Sequence, residues 1–341
     1  MELPRLGSSL LEPSIKELTK ESLSRVPPRY VKTDHDPPIT SDTISILQVP
    51  VIDMQMLRSK EFKHIELQKF HNACKDWGFF QLTNHGVVGS LLDRVKLGVK
   101  EFFNLPIEEK KKLWQQPGEM EGFGQAFVMS EEQKLDWADL FQLISLPAHL
   151  RKPYFFPKFP LPFRDDLEAY STELNNLGNE LLNFMTEALN MDPNDVKQVF
   201  GEGLQMMRMN YYPPCPEPEL VIGLAPHSDA SGLTIVLQIN EIEGLKIKKD
   251  GMWVVTNGIY PSMVHCATVN SEKERLSIAT FHSPSLDGEM GPAPSLLTQD
   301  TPALFRRIKV ADFYNGFFSR ELVGKSYLDV LRIQNEDGQK D

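Results

Sequence analysis

Apolar residues recur at three- and four-residue intervals in three segments of the front half of the chain. These segments span residues 65–77, 91–103 and about 164–191. Each presents one apolar face, which is typical of an amphipathic helix that packs against a core. Gly78 ends the first predicted helix and Pro106 limits the second, because neither residue continues a helix readily. Two short runs, VPVID at 49–53 and FFQLT at 79–83, predict strands.

The pattern changes after Gly201, where apolar residues gather in short β-type runs separated by turn residues. The runs are LQMMRMNYY, LVIGLAPH, LTIVLQI, LKIK, WVV, MVHCATV and RLSIATF. Such spacing predicts a sandwich or barrel, and Asp250-Gly251 predicts a hairpin turn. We therefore divide the chain into four regions. They are an N-terminal arm (1–48), a mainly helical region (49–200), a β-rich jelly-roll domain (201–300) and a C-terminal helix with a polar tail (301–341).

The composition limits the partners that we expect. The 341 residues carry a formal net charge of −11, which argues against broad binding to nucleic acids or to anionic membranes. No run approaches roughly 18 apolar residues, so we expect no membrane span, and the first residues lack the apolar core of a signal peptide. Cys74, Cys215 and Cys266 show no CxxC spacing, so neither a disulfide framework nor a zinc site is indicated. We expect a cytoplasmic monomer that acts on a small molecule.

The candidate chemistry begins with His227-Ser228-Asp229, at the end of a predicted strand. Alternation along a strand places His227 and Asp229 on one face, so both side chains can reach a single metal ion. His265, in a later predicted strand, supplies a second imidazole. Two histidines and one carboxylate form the facial triad of non-haem iron oxygenases, which leaves coordination positions open. The spacing alone leaves an alternative, in which three unrelated polar residues match the pattern by chance.

A second polar pair, Arg275 and Ser277, follows His265 and again shares one strand face. A guanidinium group binds a carboxylate through two hydrogen bonds, and a hydroxyl group adds a third. A buried arginine requires an anion, which a dicarboxylate cosubstrate would supply. The alternative is a surface ion pair of Arg275 with Glu272 or Glu274. A zinc enzyme with the same triad is disfavoured, because Arg275 and Ser277 would then have no function.

The order HSD, H and RLS, with NYYPPCP upstream, resembles that of the plant Fe(II)- and 2-oxoglutarate-dependent dioxygenases. The resemblance covers nearly the whole chain, because VPVIDM, ACKDWGFFQLTNHGV and EFFNLPIEEKKKL are similar to the N-terminal region of that family. The runs EGFGQ, LDWADLF, LRKP and VNSEKERLSIATFHSPS resemble one subgroup. This subgroup includes senescence-related dioxygenases and the thebaine and codeine O-demethylases of opiate metabolism.

The resemblance implies an α+β fold with a double-stranded β-helix (jelly-roll) core, which N-terminal helices surround. It also implies that His227, Asp229 and His265 bind Fe(II) and serve as the catalytic centre. Arg275 and Ser277 would hold the distal carboxylate of 2-oxoglutarate. The cofactors that follow are Fe(II), 2-oxoglutarate as cosubstrate and O₂, with ascorbate as a reductant.

Further residues take their roles from the same resemblance. Asn210 and Tyr212 of NYYPPCP would contact the other end of 2-oxoglutarate. Phe123, Phe127 and Phe281 would line the substrate pocket by analogy with the subgroup, although an ordinary core fits these aromatic residues equally well.

One interval departs from the family pattern. His227 and His265 are 38 residues apart, whereas relatives separate the equivalent pair of the triad by roughly 55. About 19 residues are missing between Trp253 and Thr256, enough for a hairpin and parts of two strands. Pro261 would further weaken strand pairing before His265. We therefore expect a jelly-roll that lacks edge strands and leaves other strand edges unpaired.

Two hypotheses about function follow. The first is an oxidoreductase of plant specialised metabolism that hydroxylates or oxidatively O-demethylates an alkaloid, flavonoid or phenylpropanoid. The second is an inactive or weakly active homologue, in which the shortened sheet displaces His265 and impairs the iron site. The distance of His265 from His227 and Asp229 in the folded chain discriminates between them.

Overall fold

The computed structural model describes residues 10–20, 23–32, 49–116, 119, 121–125, 128, 130–156, 159–248, 254–319 and 327–333. Its helices are α1 (Ile15–Leu18), α2 (Met54–Arg58), α3 (Lys63–Asn72), α4 (Gly89–Asn104), α5 (Ile107–Lys111), α6 (Phe163–Ala188), α7 (Pro193–Phe200) and α8 (Val310–Phe318). The three predicted helices correspond to α3, α4 and α6. Gly78 does end the first, because its left-handed backbone (φ 60°) closes a π-turn that extends α3. Within the described ranges, no helix is long and apolar enough to cross a membrane.

Of the twelve described strands, eight form two antiparallel sheets and four form two separate pairs. The strands are numbered in chain order. They are β1 (Val51–Asp53), β2 (Gln81–Thr83), β3 (Gly122–Gly124), β4 (Asp139–Leu146), β5 (Leu204–Tyr212), β6 (Leu224–His227), β7 (Leu233–Gln238), β8 (Leu245–Lys248), β9 (Val264–Ala267), β10 (Arg275–Ser283), β11 (Glu289–Met290) and β12 (Ile308–Lys309). The larger sheet has the order β3-β4-β5-β10-β7 and the smaller one β6-β9-β8. This arrangement confirms the predicted jelly-roll with surrounding helices.

The long helix α6 determines which face of the larger sheet is the outer one. Its apolar residues, Leu174 among them, share one core cluster with Met207 and Met209 of β5 and with Leu276 and Ile278 of β10. Since side chains alternate along a strand, the residues between these positions point to the inside of the barrel. The polar residues of the NYYPPCP and RLS motifs therefore lie on the inner face.

Two features of the sheets differ from the sequence-based prediction. Strand β4 was not predicted, because both of its faces are buried and its sequence DLFQLISL shows no polar–apolar alternation. It pairs with β5 along most of its length, so the larger sheet extends across the domain boundary placed at residue 201. Val254 and Val255, predicted as part of a strand, are buried in a turn instead. Trp253 and the hairpin predicted at Asp250-Gly251 lie outside the described residues.

The barrel is open along β7. The backbone N–H of Ile239, just past β7, donates to the carbonyl oxygen of Leu276 in β10. Alternation therefore directs the N–H groups of Thr234, Val236 and Gln238 away from β10. In the described part of the chain no strand pairs with this edge of β7. Val236 is 43% exposed although it lies on the inner face of the sheet. An unpaired edge is what we expected from the short interval before His265.

Candidate metal and cosubstrate site

Strands β6 and β9 bring the two histidines together. His227 ends β6, and it lies directly opposite His265 of β9 in the antiparallel register. The two imidazole centroids are 4.4 Å apart, and Asp229 follows His227 by two residues. One nitrogen of each histidine and one carboxylate oxygen of Asp229 all lie within 4.8 Å of one another. The second hypothesis required a displaced His265, and this geometry does not favour it.

Hydrogen bonds orient the ligand atoms of this triad. The Nδ1 atoms of His227 and His265 lie 2.8 and 3.2 Å from the carbonyl oxygens of Ala225 and Met263. A carbonyl oxygen only accepts, so each Nδ1 donates and each Nε2 keeps a free lone pair. These Nε2 atoms lie 3.5 and 3.8 Å from Oδ1 of Asp229. The free lone pairs and the carboxylate converge on one point, as a metal ion requires.

Two further observations fit a divalent cation at this point. Nε2 of His227 is buried and has no hydrogen-bond partner, which is costly unless a metal ion binds it. The Thr234 hydroxyl donates to Oδ2 of Asp229 over 2.6 Å and leaves Oδ1 directed at the imidazoles. Nitrogen and oxygen donors of this kind suit Fe(II), and three protein ligands leave room for a chelating cosubstrate.

The pKa shifts of Asp229 and His265 also suit a metal site. Burial alone would raise the pKa of Asp229, but His265, His227 and the Thr234 hydroxyl outweigh burial and hold this pKa below its usual range. Burial lowers the pKa of His265, and the nearby charge of Asp229 opposes this effect. An ionised carboxylate and neutral imidazoles are the forms that bind divalent metals.

Strands β5 and β10 place a second polar group on the inner face. Arg275 lies opposite Tyr212 in the register, and Ser277 lies opposite Asn210. The Arg275 guanidinium stands 5.3 Å from the centre of the Tyr212 ring, and its Nη1 lies 3.5 Å from the Ser277 hydroxyl. The side-chain amide of Asn210 is 3.4 Å from the same hydroxyl. All four sequence-predicted cosubstrate residues thus form one continuous surface.

Arg275 is only 3% exposed and forms no ion pair with any described residue. The surface pair with Glu272 or Glu274 is therefore not formed. Nε of Arg275 is buried without a partner, and a buried guanidinium in this state is stabilised by an incoming anion. A carboxylate that reaches Arg275 and Ser277 meets this requirement.

A small cavity of about 40 Å³ adjoins the triad. Its walls include Phe281 from β10 and three aromatic residues of α8, namely Tyr314, Phe317 and Phe318. Ligand pockets typically measure about 300–1,000 Å³, so this cavity is too small to hold a substrate as it stands. Sequence reasoning missed these α8 residues, because nothing in the local pattern places a C-terminal helix over the barrel.

The other two candidate substrate residues do not adjoin this cavity in the described structure. Phe123 is fully buried, and its ring packs edge-on against Phe102 at a centroid distance of 6.2 Å. It belongs to the core cluster between α4 and the larger sheet. Phe127 lies outside the described residues.

The jelly-roll, the triad and the buried arginine together define an Fe(II)- and 2-oxoglutarate-dependent oxygenase, and this chain belongs to that family. Residues 49–159 match the family described as "non-haem dioxygenase in morphine synthesis N-terminal". Residues 203–284 match the "2OG-Fe(II) oxygenase superfamily". The protein is an enzyme of this family, and its cofactors are Fe(II) and 2-oxoglutarate.

Among particular proteins, the chain is similar to oxoglutarate-dependent flavonoid 7-O-demethylase 1 of Ocimum basilicum. The two are 51% identical over 358 residues, which cover 98% of this chain and 94% of the relative. Codeine O-demethylase of Papaver somniferum is 48% identical over 360 residues, with 98% and 100% covered. A crystal structure of JOX2 in complex with 2OG, Fe and JA superposes with a TM-score of 0.84 at 29% identity, and covers 98% of this chain and 100% of JOX2.

The alignments also measure how much shorter this chain is. The alignment with codeine O-demethylase has 360 positions and covers 98% of the 341 residues, or about 334, so about 26 positions have no counterpart here. A missing segment of about 19 residues between Trp253 and Thr256 stays a prediction that would account for most of them.

Proposed function

We propose that the protein catalyses the oxidative O-demethylation of a methoxylated aromatic metabolite of plant specialised metabolism. The observation that carries this proposal is that the ligand atoms of the triad and the buried Arg275, whose Nε has no partner and which has no carboxylate partner among the described residues, lie inside one barrel. The curated relatives named above demethylate a flavonoid and codeine by their names, which supports the choice of a methoxy group as the reacting site.

Each residue of the triad and of the cosubstrate surface has one role in this proposal. His227, Asp229 and His265 hold Fe(II) and leave the remaining coordination positions to 2-oxoglutarate and O₂. Arg275 and Ser277 hold the distal carboxylate of the cosubstrate, while Asn210 and Tyr212 contact its other end. When bound, iron and 2-oxoglutarate supply the oxidation of a C–H bond.

The chain itself binds, orients and shields the reactants. Aromatic residues of α8 and Phe281 stack against the substrate ring and exclude water from the triad. The overall reaction converts an aryl methyl ether, O₂ and 2-oxoglutarate into a phenol, formaldehyde, succinate and CO₂. Hydroxylation of the methyl carbon gives a hemiacetal, which loses formaldehyde to leave the phenol.

The cytosol is the proposed compartment, because Cys74, Cys215 and Cys266 are all free thiols. Ascorbate would keep the iron reduced. We further propose that the protein acts as a monomer.

The test supplies the purified protein with Fe(II), 2-oxoglutarate, ascorbate and a methoxyflavone, and measures formaldehyde and succinate. We expect equal amounts of formaldehyde and demethylated product. His265→Ala should abolish both products, because two protein ligands hold iron poorly, whereas His64→Ala on the exposed face of α3 should not. Succinate without formaldehyde from any methoxylated aromatic compound would exclude demethylation, and full activity of His265→Ala would exclude the metal assignment.

A further inference from the structure

A second buried arginine, Arg208, lies on the same inner face as Arg275. It lies two positions before Asn210 along β5, with only Met209 between them, and in the register it lies between Ala279 of β10 and Gln142 of β4. It lines the cavity beside His227 and Asp229. Nothing in the proposed reaction uses it so far.

The guanidinium of Arg208 has no hydrogen-bonding or charged partner in the part of the chain that the structure describes. Arg208 is 6% exposed, and among the described residues it donates no hydrogen bond and forms no ion pair. Its Nε atom is buried and unpaired, and the guanidinium stands over the face of Phe281, 5.5 Å from the ring centre. A cation–π contact stabilises a buried cation only partly, since it supplies no acceptor for the buried N–H.

Arg151 shows what a satisfied arginine looks like in the same molecule. Its guanidinium also stands over a phenylalanine ring, at 4.3 Å from the centre of Phe156. Unlike Arg208, it donates to the carbonyl oxygen of Ser145 over 2.6 Å and pairs with Glu168. The contrast indicates that the missing partner of Arg208 is not a residue of the described chain.

The cosubstrate does not remove the charge of Arg208. The two positive charges of Fe(II) and the two negative charges of 2-oxoglutarate cancel, and Asp229 cancels Arg275. One positive charge then remains in the closed site, on Arg208. A buried charge without a counter-ion is strongly unfavourable, so the third molecule of the reaction is the candidate to neutralise it.

Gln142 adds a neutral polar group at the same place. It lies directly opposite Arg208 across β4 and β5, lines the same cavity and makes no side-chain hydrogen bond to the described residues. An amide beside a guanidinium suits an oxygen that accepts more than one hydrogen bond. The remaining walls, Phe281 and the aromatic residues of α8, suit a planar ring.

We infer that Arg208, assisted by Gln142, is the specificity-determining group for the substrate and binds an acidic phenolic oxygen on the aromatic ring system that is demethylated. This inference rests on the proposed function and narrows its substrate class. A substrate with a free phenolic hydroxyl beside the methoxylated ring fits this site better than its fully methylated analogue.

The test is isothermal titration of the protein loaded with Mn(II) and 2-oxoglutarate. The probes are a methoxyflavone with one free phenolic hydroxyl and its fully methylated analogue. We expect the wild type to bind the phenolic probe at least tenfold more tightly. Arg208→Met should lose this preference, and Arg208→Lys, which keeps the charge, should retain part of it. The affinity for 2-oxoglutarate should stay within threefold in both variants.

A second readout needs no substrate. Arg208→Met removes an unpaired buried charge, so the melting temperature of the protein without ligands should rise. Arg151→Met, the matched control, should lower it because that guanidinium has partners. The inference would be overturned if the wild type bound the two probes equally or bound neither. It would also be overturned if Arg208→Met kept the preference for the phenolic probe, or if that variant had a lower melting temperature. A loss of 2-oxoglutarate affinity would instead assign Arg208 to the cosubstrate and overturn it as well. Formaldehyde formation by the wild type tests the proposed function separately.

Discussion

Arg275 is the residue on which the cosubstrate assignment depends, since its buried guanidinium has no carboxylate partner in the described chain. We predict that Arg275→Leu weakens 2-oxoglutarate binding roughly ten- to hundredfold, because a hydrogen-bonded charged contact contributes about 1.5–3 kcal/mol. The measurement is the dependence of succinate formation on 2-oxoglutarate concentration. Arg94→Leu, which removes a half-exposed arginine from its ion pair with Asp166 between α4 and α6, is the control and should leave the requirement for 2-oxoglutarate unchanged. An unaltered requirement in Arg275→Leu would mean that the cosubstrate binds elsewhere.

His282 gives a prediction about pH at the same scale. It is 5% exposed, faces α6, and burial lowers its pKa from 6.5 to about 4. Between pH 6.5 and about 4, His282 therefore binds a proton in the unfolded chain but not in the folded chain. The free energy of unfolding should fall as the pH drops from 6.5 towards 4, by on the order of 3 kcal/mol, and His282 should have no effect above this window.

Urea unfolding of the wild type and of His282→Gln, between pH 4.5 and 7.5, measures this contribution. The stability difference between the two proteins should shift in favour of the variant as the pH falls through this window. His64→Gln, at an exposed position of α3, should show no such shift. Parallel pH profiles for the wild type and His282→Gln would show that His282 is not the titrating group.

At the scale of elements, the close contact between α6 and β10 sets how near the helix lies to the outer face of the larger sheet. Gly178 of α6 lies against the imidazole of His282, and a Cβ atom there would be 2.5 Å from Cε1. We predict that Gly178→Ala destabilises the protein by about 1–3 kcal/mol, because a rigid helix cannot retreat from the sheet. Gly89→Ala in α4 is the control, since no atom lies within 4 Å of its added methyl group.

The control should stabilise the protein by up to about 1 kcal/mol, as alanine favours a helix over glycine. Urea midpoints at pH 7 decide the comparison. If Gly178→Ala were as stable as Gly89→Ala, α6 would be free to shift, and the close approach would not hold β10 in place.

At the scale of the whole molecule, the shortened interval leaves β7 as an open edge while the triad stays assembled. We predict that inserting the corresponding segment of a relative after Val254 raises both the melting temperature and the rate of 2-oxoglutarate turnover. The physical reason is that a restored strand pairs with β7, covers Val236 and keeps water out of the barrel. An insert of the same length made of glycine and serine is the control, because it restores length without a strand.

Iron affinity, succinate formation and thermal unfolding of the three proteins test this prediction. Equal values with and without the relative's segment would show that the short barrel is fully competent. In that case the register between β6 and β9 alone would be enough to hold His265 at the metal.

The sequence by itself determined the features that depend on near neighbours along the chain. Strand alternation predicted the shared faces of His227 with Asp229 and of Arg275 with Ser277, because residues two positions apart in a strand point to the same side. Helical periodicity located α3, α4 and α6 for the same local reason. The family motifs then predicted the fold class, which was confirmed.

Only the tertiary structure decided the features that depend on distant segments. Three features result from packing between parts of the chain that share no local pattern. They are the register that sets His227 opposite His265, the place of β4 in the larger sheet and the position of α8 over the cavity. The isolation of Arg208 belongs to the same class. The run MRMNY shows that Arg208 and Asn210 share a face, but a missing partner becomes visible only when every neighbouring element is in place, since burial and pairing are properties of the whole fold.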